Sequence, residues 1–192
     1  MNLPQQTQAI LLLNISFGKN DPKSAKPLSK REWSRFAVWL KDHGLEPSSL
    51  LKGNVQSQLS GLLDKSISAN RIQTLLERGT ALGLALEKWE RAGLWVITRS
   101  DSEYPERLKR RLKLDSPAVL FGCGNKSLLN KGGVAVIGSR DANEEDLNFT
   151  HNIGKQTAFQ GHSIVSGGAR GVDQSAMFGA LENEGTAIGG MA

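Results

Sequence analysis

The chain has 192 residues, 39% hydrophobic, 22% charged and 6% aromatic, a globular composition that excludes collagenous and disordered classes. Its 24 Lys and Arg against 19 Asp and Glu give +5, placed unevenly: residues 1–131 hold 21 basic and 12 acidic side chains, residues 132–192 only 3 and 7. A basic half favours polyanionic partners through counterion release, but it needs a site to become a function. One cysteine, Cys123, excludes an internal disulfide, and His43, His151 and His162 show no metal-ligand spacing, so neither a metal nor a cofactor is expected. The longest apolar runs, Ile10 to Leu13 and Val134 to Ile137, fall far short of the roughly 18 residues that span a bilayer. The start, Met1-Asn-Leu-Pro-Gln-Gln, has no basic and apolar leader pattern, so a cytoplasmic protein without membrane contact is expected.

In chain order, Gln5 to Phe17 suits a short buried helix, and Gly18 to Leu28, with two prolines and three lysines, an exposed loop. Ser29 and Glu32 have the spacing of a capping box, behind which Trp33, Phe36, Ala37 and Leu40 form one apolar stripe up to a Gly44 stop. Helical patterns follow at Asn70 to Gly79 and Thr80 to Gly93, which makes residues 1–93 a small all-helical domain. From Leu94-Trp-Val-Ile-Thr98 the pattern alternates: a helix at Tyr104 to Leu112, a strand at Ala118 to Phe121, and a buried strand at Val134 to Ile137. Then come a helix around Glu144 to Gln160, a strand at Ser163 to Ser166, a helix at Val172 to Glu184 and a strand at Thr186 to Gly189. This alternation reads as an α/β domain over residues 94–192, a doubly wound parallel sheet built from right-handed β-α-β units. It ends on a strand that should feed another helix, so a truncated product is expected.

Two turns fall at the carboxyl ends of expected parallel strands, where open α/β sheets place ligands. In Gly138-Ser139-Arg140 the glycine permits close backbone approach, the serine adds a hydroxyl and the arginine a planar fork suited to phosphate oxygens. In Ser166-Gly167-Gly168-Ala169-Arg170-Gly171-Val172-Asp173, three glycines lead from a strand into a helix whose unpaired amides favour an anion. Asp173 is read either as a cap for the helix amides or as an orienter of a neighbouring arginine, in preference to a catalytic carboxylate. Gly-rich strand-to-helix turns also occur for tight packing alone. Two arginines on adjacent loops, however, repel at short range unless an anion lies between them, and a phosphate pocket explains the pair. No P-loop, dinucleotide fingerprint or nucleophile elbow is present, and no catalytic residue is assigned. Cys123 reads as a small packed thiol.

Tyr104-Pro105-Glu-Arg-Leu, Pro117-Ala-Val-Leu-Phe-Gly122-Cys-Gly124, Val134-Ala-Val-Ile-Gly-Ser-Arg140 and Ser166 to Asp173, in this order and spacing, resemble the DNA-processing protein A family (DprA, also called Smf). The resemblance covers residues 94 to 192; residues 1 to 93 are similar in type to the family's sterile-alpha-motif-like (SAM-like) helical region. It implies a Rossmann-like domain that binds single-stranded DNA without hydrolysing it and helps load a RecA-type recombinase during natural transformation or related recombination. It also implies that Gly138, Ser139, Arg140, Gly168 and Arg170 line the DNA-backbone pocket, with Gly167 and Gly171 in the same loop and Ser166 and Asp173 supporting it. Where the family pattern continues Asp-x-x-Ala-His, this chain has Asp173-Gln-Ser-Ala176-Met177. The family's self-association surface would lie beyond Ala192, which places a homodimer in a longer form. Two rivals stand: a nucleotide-binding or nucleotide-cleaving enzyme or sensor, with Asp173 as the available acid, and a protein-interaction module. The basic run Arg107, Lys109, Arg110, Arg111 and Lys113 is an auxiliary DNA contact or, more economically, a solvated helix face.

Overall fold

The computed structural model describes residues 3–18 and 25–191; most of the expected Gly18 to Leu28 loop lies outside the described residues. The chain divides into two compact units, residues 1–124 and 125–192.

In the first unit, α1 (Gln5–Asn14) buries Ala9 to Leu13 almost completely. The capping box forms as the spacing requires: the Glu32 amide donates to Ser29 Oγ and the Ser29 amide to Glu32 Oε2, opening α2 (Lys30–Asp42). Its stripe turns Trp33, Phe36 and Leu40 into the core, and Gly44, at φ +66°, ends it in the left-handed region. Short helices α3 (Val55–Gln58), α4 (Ala69–Leu76) and α5 (Gly79–Arg91) complete the helical layer.

The expected architecture changes at residue 93, but compactness does not. Strand β1 (Trp95–Thr98) is followed by α6 (Glu106–Leu112) and β2 (Val119–Gly122), and the two strands pair antiparallel, Val96 opposite Phe121. They belong to the helical unit and not to the parallel sheet. Val96 packs with Leu11, Leu12 and Leu82, and Thr7 Oγ1 donates to Asp101 Oδ1 at 2.9 Å. A two-stranded ladder has too little surface to bury its own apolar face, so it docks on the helices that adjoin it in sequence. Cys123, just beyond β2, is exposed rather than packed.

The second unit begins with the single turn α7 (Leu128–Lys131), followed by β3 (Gly133–Ala135), α8 (Glu144–Phe159), β4 (Ser163–Ser166), α9 (Val172–Leu181) and β5 (Thr186–Gly189). The three strands run parallel in the order β3-β4-β5, with Val134, Ile164 and Ala187 in register. This is an α/β, Rossmann-like arrangement. Helices α8 and α9 pack side by side on one face of the sheet, so the doubly wound pattern is represented by that face. Their approach is close because glycines meet backbone: a Cβ at Gly154 would lie 2.0 Å from the Ala176 carbonyl oxygen, and one at Gly179 2.0 Å from that of His151. The strand expected to be buried at residues 134–137 is instead the exposed edge β3. Among the described residues it pairs with β4 alone; Val134 within it is 40% exposed and Ile137, two residues past its end, 85%.

Candidate functional site

The two Gly-rich turns leave the carboxyl ends of β3 and β4, neighbouring parallel strands, and therefore lie side by side. Val136 extends the pairing, its amide donating to the Val165 carbonyl at 3.0 Å. Beyond it Gly138 and Ser139 pass directly against the start of α9. A Cβ on Gly138 would sit 2.5 Å from Val172 Cγ1, and one on Gly171 2.3 Å from the Ser139 carbonyl oxygen and 2.9 Å from that of Arg140. Gly171, at φ +91°, and Gly168, at φ +69°, also adopt backbone conformations that L side chains disfavour. The glycines thus serve both close approach and turn geometry, and they bring the backbones of positions 140 and 171 into contact.

Asp173 joins the turns. One carboxylate oxygen accepts from the Gly138 amide and the other from the Gly167 amide, each at 3.1 Å, while the Val172 amide donates to the Ser139 carbonyl at 3.1 Å. Neither role read from sequence is the observed one: among the described residues Asp173 holds no arginine, and the amides it binds are those of the two turns and not those of the α9 start. Burial disfavours its charge, but the hydrogen bonds it accepts, that of the Gly138 amide first, outweigh that and keep the carboxyl below its ordinary value. Ser166 is buried at the end of β4, paired with Gly189 of β5 and accepting from the Gly190 amide on its carbonyl at 2.9 Å.

The arginines differ. Arg170 is exposed, and its Nη2 donates to Asp141 Oδ1 at 2.5 Å. Arg140 is exposed and, among the described residues, has no ion-pair partner. The expected requirement for an outside anion between two arginines is therefore met, for Arg170, by a carboxylate of the neighbouring turn, the one that carries Arg140. Reasoning from the motifs alone misses Asp141, although its signal is there: an acid that directly follows Arg140 in a tight turn. Ser139 Oγ accepts from the Asp141 amide at 3.1 Å, a Ser-centred turn that sets the direction of this segment. Among the described residues no cluster of His, Cys, Asp and Glu suits a metal ion. None of their helices is long and apolar enough to cross a membrane.

The geometry is that of a Rossmann-like sheet with two glycine turns side by side at the carboxyl ends of neighbouring parallel strands and two exposed arginines on them. The family model for DNA recombination-mediator protein A matches residues 95–192. The chain belongs to this family. It is similar to the DNA processing protein DprA of Bacillus subtilis (strain 168), 32% identical over 105 residues, covering 54% of this chain and 35% of that protein. Its fold is similar to the X-ray structure of DNA processing protein A from Streptococcus pneumoniae, with a TM-score of 0.63 at 19% identity, over 98% of this chain and 58% of that one. The chain thus spans about a third to three fifths of the length of these DprA relatives. The structural likeness extends through the helical unit, beyond the residues that the family model matches.

Proposed function

We propose that this DprA-family chain is a non-hydrolytic, single-stranded DNA-binding recombination mediator. It holds backbone phosphates at Gly138, Ser139 and Arg140 and at Gly167, Gly168, Arg170 and Gly171. The observation that carries this reading is the pair of adjoining glycine turns, tied together by Asp173 and presenting Arg140 without a carboxylate partner among the described residues. Phosphate contacts through amides and guanidinium groups give affinity with little sequence preference and strong salt dependence, the behaviour of a strand binder. Family membership supports the recombination role, and with it a RecA-type recombinase as partner, self-association in a longer form, and action in the cytoplasm during DNA uptake.

Asp173 bears on the enzymatic rival. Cleavage of an N-glycosidic bond calls for a positioned proton donor, whereas both oxygens of this carboxylate accept amide protons and the group is held ionised. That favours a structural carboxylate and a binding site. The test is a titration of the chain with single-stranded DNA, duplex DNA of equal length and mononucleotides at several salt concentrations, with product analysis. The expected result is preferential strand binding whose log K falls linearly with log salt, with no base released. Salt-independent binding, or release of free base from nucleotides, would overturn the reading.

A further inference from the structure

Within the helical unit, a cleft of about 420 Å³ is lined by residues of α1 and α2, the turn after α2, and the ends of β1 and β2 that meet at Arg99 and Ala118. That volume is within the range of small-molecule sites. Ala37, Leu45, Pro47 and Ala118 give it a partly exposed apolar lining over a floor that includes the edge of Trp33, and Arg99 and Lys41 bring two positive charges. Arg99 is fixed by the ladder, its amide donating to the Ala118 carbonyl at 3.1 Å.

Its side chain is the anomaly. Arg99 as a whole is half-buried, but among the described residues its Nε is shut off from solvent and has no hydrogen-bond partner. The other enclosed arginines of this unit are well supplied: Arg71 binds Glu32 and the carbonyls of Lys26, Pro27 and Ser66, and Arg78 the carbonyls of Leu12, Ile15 and Leu75. A buried charged donor left unmatched is unfavourable, and such groups in native proteins call for a partner. Glu46, the acid of the cleft, is exposed and is not the partner of Arg99 Nε: its carboxylate accepts from Ser48 Oγ at 3.4 Å.

From these observations we propose that the cleft is a second anion site, independent of the glycine turns, which takes a phosphate monoester joined to a nucleobase. A guanidinium fork and an ammonium group together match a dianionic terminal phosphate better than a singly charged carboxylate. Ala37, Leu45, Pro47 and Ala118 offer the base an apolar wall. The unit's 19 basic and 12 acidic side chains attract such ligands. A free nucleoside monophosphate and the phosphorylated end of a DNA strand share this chemistry.

The test follows the Arg99 Nε–H and Ala118 amide resonances of the full chain by NMR during titration with dAMP, inorganic phosphate, and a pentanucleotide with and without a 5′-phosphate. The expected result is a saturable shift with dAMP or the phosphorylated strand. It should weaken at least tenfold in R99Q and in K41Q and persist in the R140A/R170A double variant. A response to dAMP alone identifies the free nucleotide as ligand, and a response to both includes the strand end. Absence of any shift, a shift lost in R140A/R170A, or an equal response to N-acetylaspartate would overturn the proposal. K41Q is the deciding variant if R99Q does not fold.

Discussion

In the helical unit twelve buried apolar side chains, from Ile10 to Leu75, form one cluster, whereas the sheet unit centres on Ile164, Ala176 and Ala180 alone. The sheet unit makes up for small side chains with closeness, at Gly154 and Gly179 between helices and at Gly138 and Gly171 between its turns. The first unit is basic and the second, with 5 basic and 7 acidic residues, slightly acidic. The contrast teaches that the unit holding the family motifs is built for tight backbone geometry around two turns, and that the two basic side chains on those turns are Arg140 and Arg170.

The contrast can be broken first at the helix contact. Gly179→Val places branched carbons where even a Cβ would lie 2.0 Å from the His151 carbonyl, so the sheet unit should lose its cooperative fold while the helical unit keeps its amide dispersion. NMR of the variant reads both units at once, and an intact spectrum of residues 125–191 would contradict the account. Phe36→Ala makes the opposite cut. Phe36 is wholly buried in the larger cluster, and its loss should destabilise the helical unit by about 3–5 kcal/mol in denaturant unfolding.

Acid sharpens the comparison further. The Arg71 guanidinium beside Glu32 pulls that carboxyl from 4.5 to about 2, so its contribution is complete above pH 4.5 and fades as the pH falls towards 2. Asp173, held below its ordinary 3.8, likewise stabilises the turns at neutral pH and ceases to do so in acid. Glu32→Gln should therefore flatten the acid limb of unfolding for the first unit and leave that of the second, and Asp173→Asn the reverse. An unchanged acid limb in both variants counts against these couplings. The smallest effect is expected from Ser29→Ala, which removes the α2 cap and should cost about 1 kcal/mol of helical-unit stability, read as a lowered denaturant midpoint.

Much of this is legible in the sequence because it is local. Ser29 and Glu32 announce α2, and the runs Ser163 to Ser166 and Thr186 to Gly189 are the observed β4 and β5. The glycine turns are readable from their flanking strands, since a turn that leads from a parallel strand into a helix lies at the carboxyl edge of the sheet. Less is visible where long-range pairing decides. A β-branched run such as Trp95 to Thr98 looks the same in a parallel sheet as in a two-stranded ladder, and only its partner, Val119 to Gly122, settles which. Gly154 and Gly179 look like ordinary helix glycines until the facing helix is in place. Arg99 carries no sequence signal at all, because an unmatched donor is defined by the absence of neighbours distant in the chain.

The central claim is that the turns at Arg140 and Arg170 grip the phosphates of a DNA strand. The most direct measurement compares the salt dependence of single-stranded DNA binding by the wild-type chain with that of Arg140→Ala, Arg170→Ala and the double variant. The account predicts weaker binding in each, with the slope of log K against log salt reduced by roughly one for every phosphate that the variant no longer neutralises, and the larger effect at Arg140, which has no internal carboxylate to release. Wild-type affinity and slope in the double variant would contradict it.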